Sequence, residues 1–364
     1  MARLSAHLYA GRLTIGGEMV SVSGNVQAAV EWAVRPYRED DFEATVALDN
    51  LVSQADGLGI VVTPEEQRVI FSRPGFHPER RVLVVDGPRL EGVADGVLLG
   101  YATLPSVEDE ESGERMYTAS VFVHPAAREQ GLPRVLMGRL VEIARQAEAA
   151  LEGKARGQAE LRIDASEKQH YIKALSQEIG LSLARQFWVM ECPIVKLDEP
   201  QAIEGVTIRN YRAPADHPAA MEAYNQSFRD HYGFHPTTPD RWDYRFADPT
   251  MKPDLSWVAE IDGEPGKIAG FCLCNVYEEE NRALDRCEGW IGLLGTVRGW
   301  RGKGLGRSLL LHGLHSLRAY GLDTGVLGVD SDSPTGANRL YESVGFRTRE
   351  IWLQFRAPLA EVRL

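Results

Sequence analysis

The chain has 364 residues, enough for about two domains at ~150 residues each. Hydrophobic residues at 44% and charged residues at 25% are ordinary globular values and exclude a mostly disordered chain. With 40 Lys and Arg against 52 Asp and Glu, the net charge of −12 repels phosphate backbones, which argues against nucleic acid and anionic membrane as partners.

Residues 1–30 read as an N-terminal extension. They carry no sustained apolar run of the signal-sequence kind, and no stretch of the chain is apolar for long enough to span a bilayer, so a cytoplasmic protein is expected. A strand is expected over 33–37, on Arg35-Pro36-Tyr37, running into helical segments after Asp40-Asp41. Apolar, β-branched runs bounded by turn residues predict strands over 81–85, 96–104 and 116–124. An amphipathic helix follows over 133–150, then a buried strand over 159–163, a short helix and a closing strand containing Phe187-Trp188-Val189-Met190.

The order then repeats. Arg209-Asn210-Tyr211-Arg212 matches Arg35-Pro36-Tyr37-Arg38, and each string is followed within a few residues by an acidic helix start. Arg301-Gly302-Lys303-Gly304-Leu305 matches Arg128-Glu129-Gln130-Gly131-Leu132, and Val344-Gly345-Phe346 matches Ile179-Gly180-Leu181. Three matches in one order indicate a duplication. The second copy predicts strands over 206–211, 255–261, 267–276 and 289–297, a helix over 306–320 and a strand over 325–329. The join falls in the Pro-containing stretch 193–205, giving domains over 31–195 and 196–364. The class is α/β, with helices packed on a mixed sheet.

Cys192, Cys272, Cys274 and Cys287 form no CxxC pair and have no His cluster beside them, so neither zinc nor redox chemistry is signalled and no metal is expected. Cys272 and Cys274 alternate along an apolar strand, which places two reduced thiols on one buried face.

The strongest chemical signal is Arg301-Gly302-Lys303-Gly304-Leu305-Gly306-Arg307, lying between a strand and an amphipathic helix. Glycines there let backbone N–H groups face one point at a helix N-terminus, a cradle suited to a pyrophosphate, with Arg301 and Lys303 as charged supplements. The spacing fits neither the Walker A pattern nor the dinucleotide GxGxxG. The segment 230–235, with His231 and Phe234, stands between early helices of the second copy; these rings either line an acceptor pocket or pack as a helix end.

This pattern resembles the GNAT superfamily of N-acetyltransferases, whose signature (Q/R)-x-x-G-x-(G/A) is filled by Arg301, Gly304 and Gly306. The later stretch Leu340-Tyr341-Glu342-Ser343-Val344-Gly345-Phe346 resembles the family's L-Y-E-x-x-G-F segment. The resemblance covers nearly the whole chain and points to tandem GNAT folds, as in mycothiol synthase and its relatives, each a mixed, mostly antiparallel sheet flanked by helices. It implies acetyl-CoA as co-substrate, with the pantetheine beside Leu294, Gly295 and Thr296 and the pyrophosphate on the amides from Arg301 to Arg307. A primary amine of a small molecule would attack the thioester directly, in a monomer or homodimer. Tyr341 matches the family's proton donor to the departing thiolate, against a packing aromatic as the other reading. Glu288 is the candidate base or else a surface charge, since the family's base position falls on Trp290, which would instead face the acceptor. Ser333 stands where relatives carry a pantetheine-binding Asn.

The first copy keeps Arg128 and Gly131 but has Pro133, which lacks an N–H, in place of Gly306, and Ser176 in place of Tyr341. It is expected to be a scaffold. Two other classes stay open on sequence alone, a non-catalytic acetyl-CoA-binding regulator and an acetyltransferase acting on protein or peptide N-termini.

Overall fold

The computed structural model describes residues 32–73, 76–86, 90–108, 112–151, 157–231, 234–333 and 335–364. The expected extension over 1–30 lies outside them, as do Tyr232 and Gly233 of the candidate acceptor segment.

The described residues form two compact units, those from Trp32 to Ala184 together with Leu353–Leu364, and Arg185–Trp352. In the first, strand β1 (Ala33–Pro36) is followed by helices α1 (Phe42–Ala55), α2 (Pro64–Phe71) and the single turn α3 (Pro78–Arg81). Strands β2 (Val82–Asp86), β3 (Gly100–Thr103), the short β4 (Ser106–Glu108) and β5 (Arg115–Val123) come next. Helix α4 (Leu132–Ala149), strand β6 (Ala159–Ser166) and helix α5 (His170–Glu178) lead into β7 (Ser182–Pro193). Pairing is antiparallel from β1 to β2, β3 and β5, and parallel from β5 to β6.

Strand alternation sorts the sheet's side chains between two layers. Leu83 and Val85 face α4, whose Leu132, Leu136, Met137, Leu140, Val141 and Ala144 recur at helical spacing and are fully buried. Val82, Val84 and Tyr101 face the other way, onto Phe42, Val46 and Val52 of α1 and Phe71 of α2.

The second unit repeats the plan. It runs β8 (Val206–Asn210), α6 (His217–Phe228), α7 (Pro239–Phe246), β9 (Trp257–Ile261) and β10 (Ile268–Asn275). Then come α8 (Glu278–Ala283), β11 (Glu288–Thr296), α9 (Leu305–Ala319), β12 (Thr324–Asp330), α10 (Ala337–Val344) and β13 (Arg347–Pro358), which from Leu353 on belongs to the first unit. Neighbouring strands from β8 through β11 are antiparallel, and β11–β12 is parallel. Cys272 and Cys274 face α9 together, as their alternation predicts, closing over Gly313, while Phe271 and Leu273 pack on α6 and α7. The architecture is the expected α/β one, a mixed, mostly antiparallel sheet with helices on both faces.

One local device occurs twice. Arg35 holds Asp41 with both guanidinium arms at 2.7 Å, and the Arg38 N–H donates to the same carboxylate at 2.7 Å. Arg209 holds Asp216 at 2.7 and 2.9 Å, with the Arg212 N–H at 2.7 Å. The repeated Arg-x-Tyr-Arg string is thus a clamp fixing the first strand to the start of the first helical segment. Arg35 above all, with the Arg38 amide, holds the Asp41 carboxyl below its ordinary range. For Asp216, burial pushes the other way and is outweighed by the same two kinds of bond.

The compact units and the sequence repeat divide the chain differently. Residues 187–193 of β7 pair antiparallel with β12 in the second unit. The last residues of the chain serve the first unit, where Phe355, Leu359 and Val362 join its core. There Arg145 donates to the Val362 carbonyl at 2.7 Å, the Arg363 N–H to Ile179 at 2.9 Å and Gln354 to Asp164 at 3.1 Å.

Candidate active site

In the second unit, β11 carries a bulge. Ile291 pairs with Cys274 and Leu293 with Leu273, so Gly292 has no partner on β10. On its other edge β11 pairs with β12 only from Glu288–Thr324 to Ile291–Leu327. Past Ile291 the two strands part, and the edge of β11 over Gly292–Thr296 is left without ladder partners on that side. Leu294, Gly295 and Thr296 lie on this open edge.

At the end of that edge the backbone turns through Arg298–Trp300, and Gly302 and Gly304 take φ values of +74° and +84° on entering α9. Only glycine adopts this conformation without strain. The first helical hydrogen bond runs from the Ser308 N–H to the Gly304 carbonyl at 3.0 Å, so the N–H groups of Leu305, Gly306 and Arg307 have no acceptor within the helix. A side chain at Gly302 would meet nothing within 4 Å, so the loop is open outward. These residues fit a pyrophosphate received on backbone donors.

The loop's cations are differently employed from the sequence expectation. Arg301 donates to the Thr296 carbonyl at 3.2 Å and to the Ser227 carbonyl at 2.7 Å, and lies 3.4 Å from Asp230, so it staples the loop to the strand end and to α6. Lys303 sits 4.5 Å from the Trp300 ring centroid and Arg307 pairs with Asp198 at 2.6 Å.

Tyr341 is buried on α10. Burial first, and then the neighbouring Cys272, hold its pKa above the ordinary 10.0, and no hydrogen-bond partner contributes. Its phenol therefore stays protonated and able to donate. Cys272 is the register partner of Leu294, which sets Tyr341 level with the open edge of β11. Neighbouring Leu340 lies against Gly306 in the first turn of α9.

Glu288 is not brought to Tyr341. It stands at the closed end of β11, about 20 Å along the strand from Leu294 at roughly 3.3 Å per residue. One carboxylate oxygen accepts from Arg349 at 2.6 Å, while Oε2 is buried without a partner. Gly289 and Ile291 face α9, so Glu288 and Trp290 share the opposite face, as does Leu293 beyond the bulge. Trp290 packs edge-on to Tyr277 with ring centroids 5.9 Å apart, its indole N–H unpartnered. Phe234 packs near Tyr224 in the core under α6, at 6.1 Å. His231 lies 4.6 Å from the Phe228 ring, and burial followed by Arg301 lowers its pKa. Ser333 exchanges its hydroxyl hydrogen bond with Thr335 at 3.1 Å. Sequence reading missed two polar groups, Asn338, which donates to the Ser331 carbonyl at 2.8 Å and keeps Oδ1 unpartnered, and the buried Asn275 beside Gly292. Neither lies in a motif; spacing gives no signal for them.

The first unit keeps the frame of this site. Arg128 donates to the Val123 carbonyl at 3.2 Å, as Arg301 does to Thr296, and Gly131 has φ +81°. Pro133 removes an N–H from the first turn of α4, and the Tyr171 hydroxyl donates to the Val121 carbonyl at 3.4 Å, on the edge corresponding to Leu294. Ser176, at the place of Tyr341, is fully buried and bonded to the Ile172 carbonyl at 2.8 Å.

Residues 64–159 and 218–346 match the Acetyltransferase (GNAT) family, one region in each copy. The chain belongs to that family. Its class is an acetyl-CoA-dependent N-acetyltransferase, acetyl-CoA being the family's co-substrate. The mycothiol acetyltransferase of Streptomyces griseus is 34% identical over 86% of this chain and 91% of its own length. That of Thermobispora bispora is 31% identical, over 87% and 96%. Among solved structures, a GCN5-related N-acetyltransferase from Sphaerobacter thermophilus superposes at a TM-score of 0.67 with 24% identity, covering 90% of this chain and 96% of that one. A tandem GNAT protein from the clavulanic acid biosynthesis pathway gives 0.61 at 16% identity, covering 90% and 99%, and shows the fold alone. Among the described residues no helix is long and apolar enough to cross a membrane.

Proposed function

We propose that the second unit transfers the acetyl group of acetyl-CoA to a primary amine of a small polar molecule, and that the first unit is a scaffold. The observation that carries this reading is the open edge of β11 running into the unpaired N–H groups ahead of α9, with a protonated phenol beside it. The amides from Gly302 to Arg307 would hold the pyrophosphate, and the backbone at Leu294, Gly295 and Thr296 the pantetheine arm. Arg301 shapes the loop rather than meeting phosphate.

The amine nitrogen bonds to the acyl carbon as the carbon–sulfur bond breaks, with no acyl group passing to the protein. Tyr341 Oη–H gives its proton to the departing sulfur. Burial that raises the phenol's pKa raises that of a thiolate beside it as well, so the transfer stays accessible. The ammonium loses its proton to solvent, Glu288 being paired with Arg349 and too far along β11 to take it directly.

A small-molecule acceptor is favoured by relatives named for mycothiol acetylation over most of the chain. The test is acetyl-CoA consumption by the full chain with cysteinyl pseudodisaccharide, aminoglycoside, polyamine and peptide amines. Turnover with a small polar amine and none with peptides is expected. Preference for peptide N-termini would assign a protein acetyltransferase, and binding of acetyl-CoA without turnover of any amine a regulator; either result overturns this reading.

A further inference from the structure

Resting on that reading, we propose that Asn275, acting with Trp290 and Glu288, forms the acceptor subsite and selects a hydroxyl-bearing amine over a plain alkyl amine. Asn275 is 1% exposed, and its orientation is fixed by its neighbours. The Thr250 hydroxyl donates to Asp248 at 2.7 Å, so the Asn275 atom 3.1 Å from that hydroxyl must be the donating Nδ2. Oδ1 therefore faces Gly292, where it lies 2.2 Å from the place a Cβ would take. Only a glycine leaves room for it there. Gly292 is the first residue past the last parallel pair with β12, so this oxygen stands on the sheet face level with the point where β11 and β12 part.

Oδ1 has no partner, and neither do Trp290 Nε1 nor Glu288 Oε2. Asn275 and Trp290 are register partners, with Cβ atoms about 5 Å apart in such pairs. Glu288 is two residues further along the same face, roughly 7 Å away. A buried polar atom left without a partner is costly to fold, so three on one face call for a ligand that supplies the complements. Two of them accept and one donates. The matching molecule presents N–H or O–H donors to Asn275 and Glu288 and an oxygen to Trp290, as an amino sugar or amino alcohol does. An alkyl polyamine has no oxygen to offer.

The experiment measures acetylation by the full chain of an aminoglycoside and of a polyamine, for the wild type, Asn275→Leu and Trp290→Phe. Asn275→Leu keeps the volume and removes the acceptor. It is expected to raise KM for the aminoglycoside about 10-fold or more, the loss typical of a hydrogen bond to a charged group, and to raise KM for the polyamine by much less. Trp290→Phe keeps an aromatic ring and removes the indole N–H, so if Asn275→Leu does not fold it carries the test alone; it should raise KM for the aminoglycoside more than that for the polyamine. A wild type that prefers the polyamine, or variants whose melting temperature falls while their KM values hold, overturns the subsite and leaves the function standing. A wild type that acetylates no amine overturns both.

Discussion

Gly306→Pro would rebuild in the second unit what the first already contains. Gly306 corresponds to Pro133, which sits in the first turn of α4. A proline at this depth costs little in fold, because the N–H it removes has no acceptor within the helix and its fixed φ suits a first turn. Space is adequate, since a Cβ at Gly306 would meet Thr296 Oγ1 at 3.4 Å and Leu340 Cδ2 at 3.5 Å, both ordinary contacts. The loss is one donor to an anion. A hydrogen bond to a charged group contributes about 1.5–3 kcal/mol, which at 1.4 kcal/mol per decade is a rise in Kd of roughly 10- to 150-fold. Calorimetric titration of the full chain with acetyl-CoA reads this directly, and a melting curve checks the fold. Gly306→Ala adds the carbon and keeps the N–H, so it should bind within about threefold of the wild type. If Gly306→Pro folds and binds as well as Gly306→Ala, the amide does not contact the pyrophosphate and the cradle is wrongly placed.

Tyr341→Phe should lower kcat by about 10²-fold with acetyl-CoA affinity retained, as loss of a general acid does; unchanged steady-state turnover would leave the ring a packing group. Titration of the wild type should end near one equivalent of acetyl-CoA per chain, because Pro133 and Tyr171 spoil the first unit's groove, and two tight equivalents would reverse that assignment. For His231, burial and Arg301 lower the pKa while Asp330 and Asp230 oppose them, so below its ordinary 6.5 the unfolded chain takes up a proton that the folded chain resists. Stability should therefore fall as pH drops from 6.5, and His231→Asn should flatten that slope in melting temperatures between pH 7.5 and 5.5; parallel slopes would show the imidazole to be solvated.

The duplication was legible because its strings are local devices. Arg35–Asp41 and Arg209–Asp216 close the same clamp, and Gly131 and Gly304 make the same left-handed turn. The turn ahead of α9 was legible because positive φ is written in glycine. Alternation showed which face of each strand is buried, but nothing in a strand's pattern names its neighbour, and the pairing of β7 with β12 therefore came from structure alone. The bonds of Arg301 to the Thr296 and Ser227 carbonyls were hidden for a related reason, since a sequence records a charge and not the carbonyls beside it. Phe234 was undecided between pocket and core until its place beside Tyr224 was seen. The segment 278–283 gave no apolar stripe because its buried residue is a glutamate, Glu280, and Asn275 reads as one polar residue ending an apolar run.

The exchanged strand ends bear on how such a chain can change over generations. After a tandem duplication, a copy that loses its chemistry is ordinarily free to be deleted. Here the deletion of residues 31–195 would take with it Phe187–Pro193, seven positions of pairing along β12. Deletion of the second repeat would strip Phe355, Leu359 and Val362 from the core around α4. Each repeat is thus held in the gene by a debt to the other that catalysis does not enter. If the first copy is the scaffold proposed above, residues such as Pro133 and Ser176 are tolerated in it, while shortening the chain by either half is closed as a route.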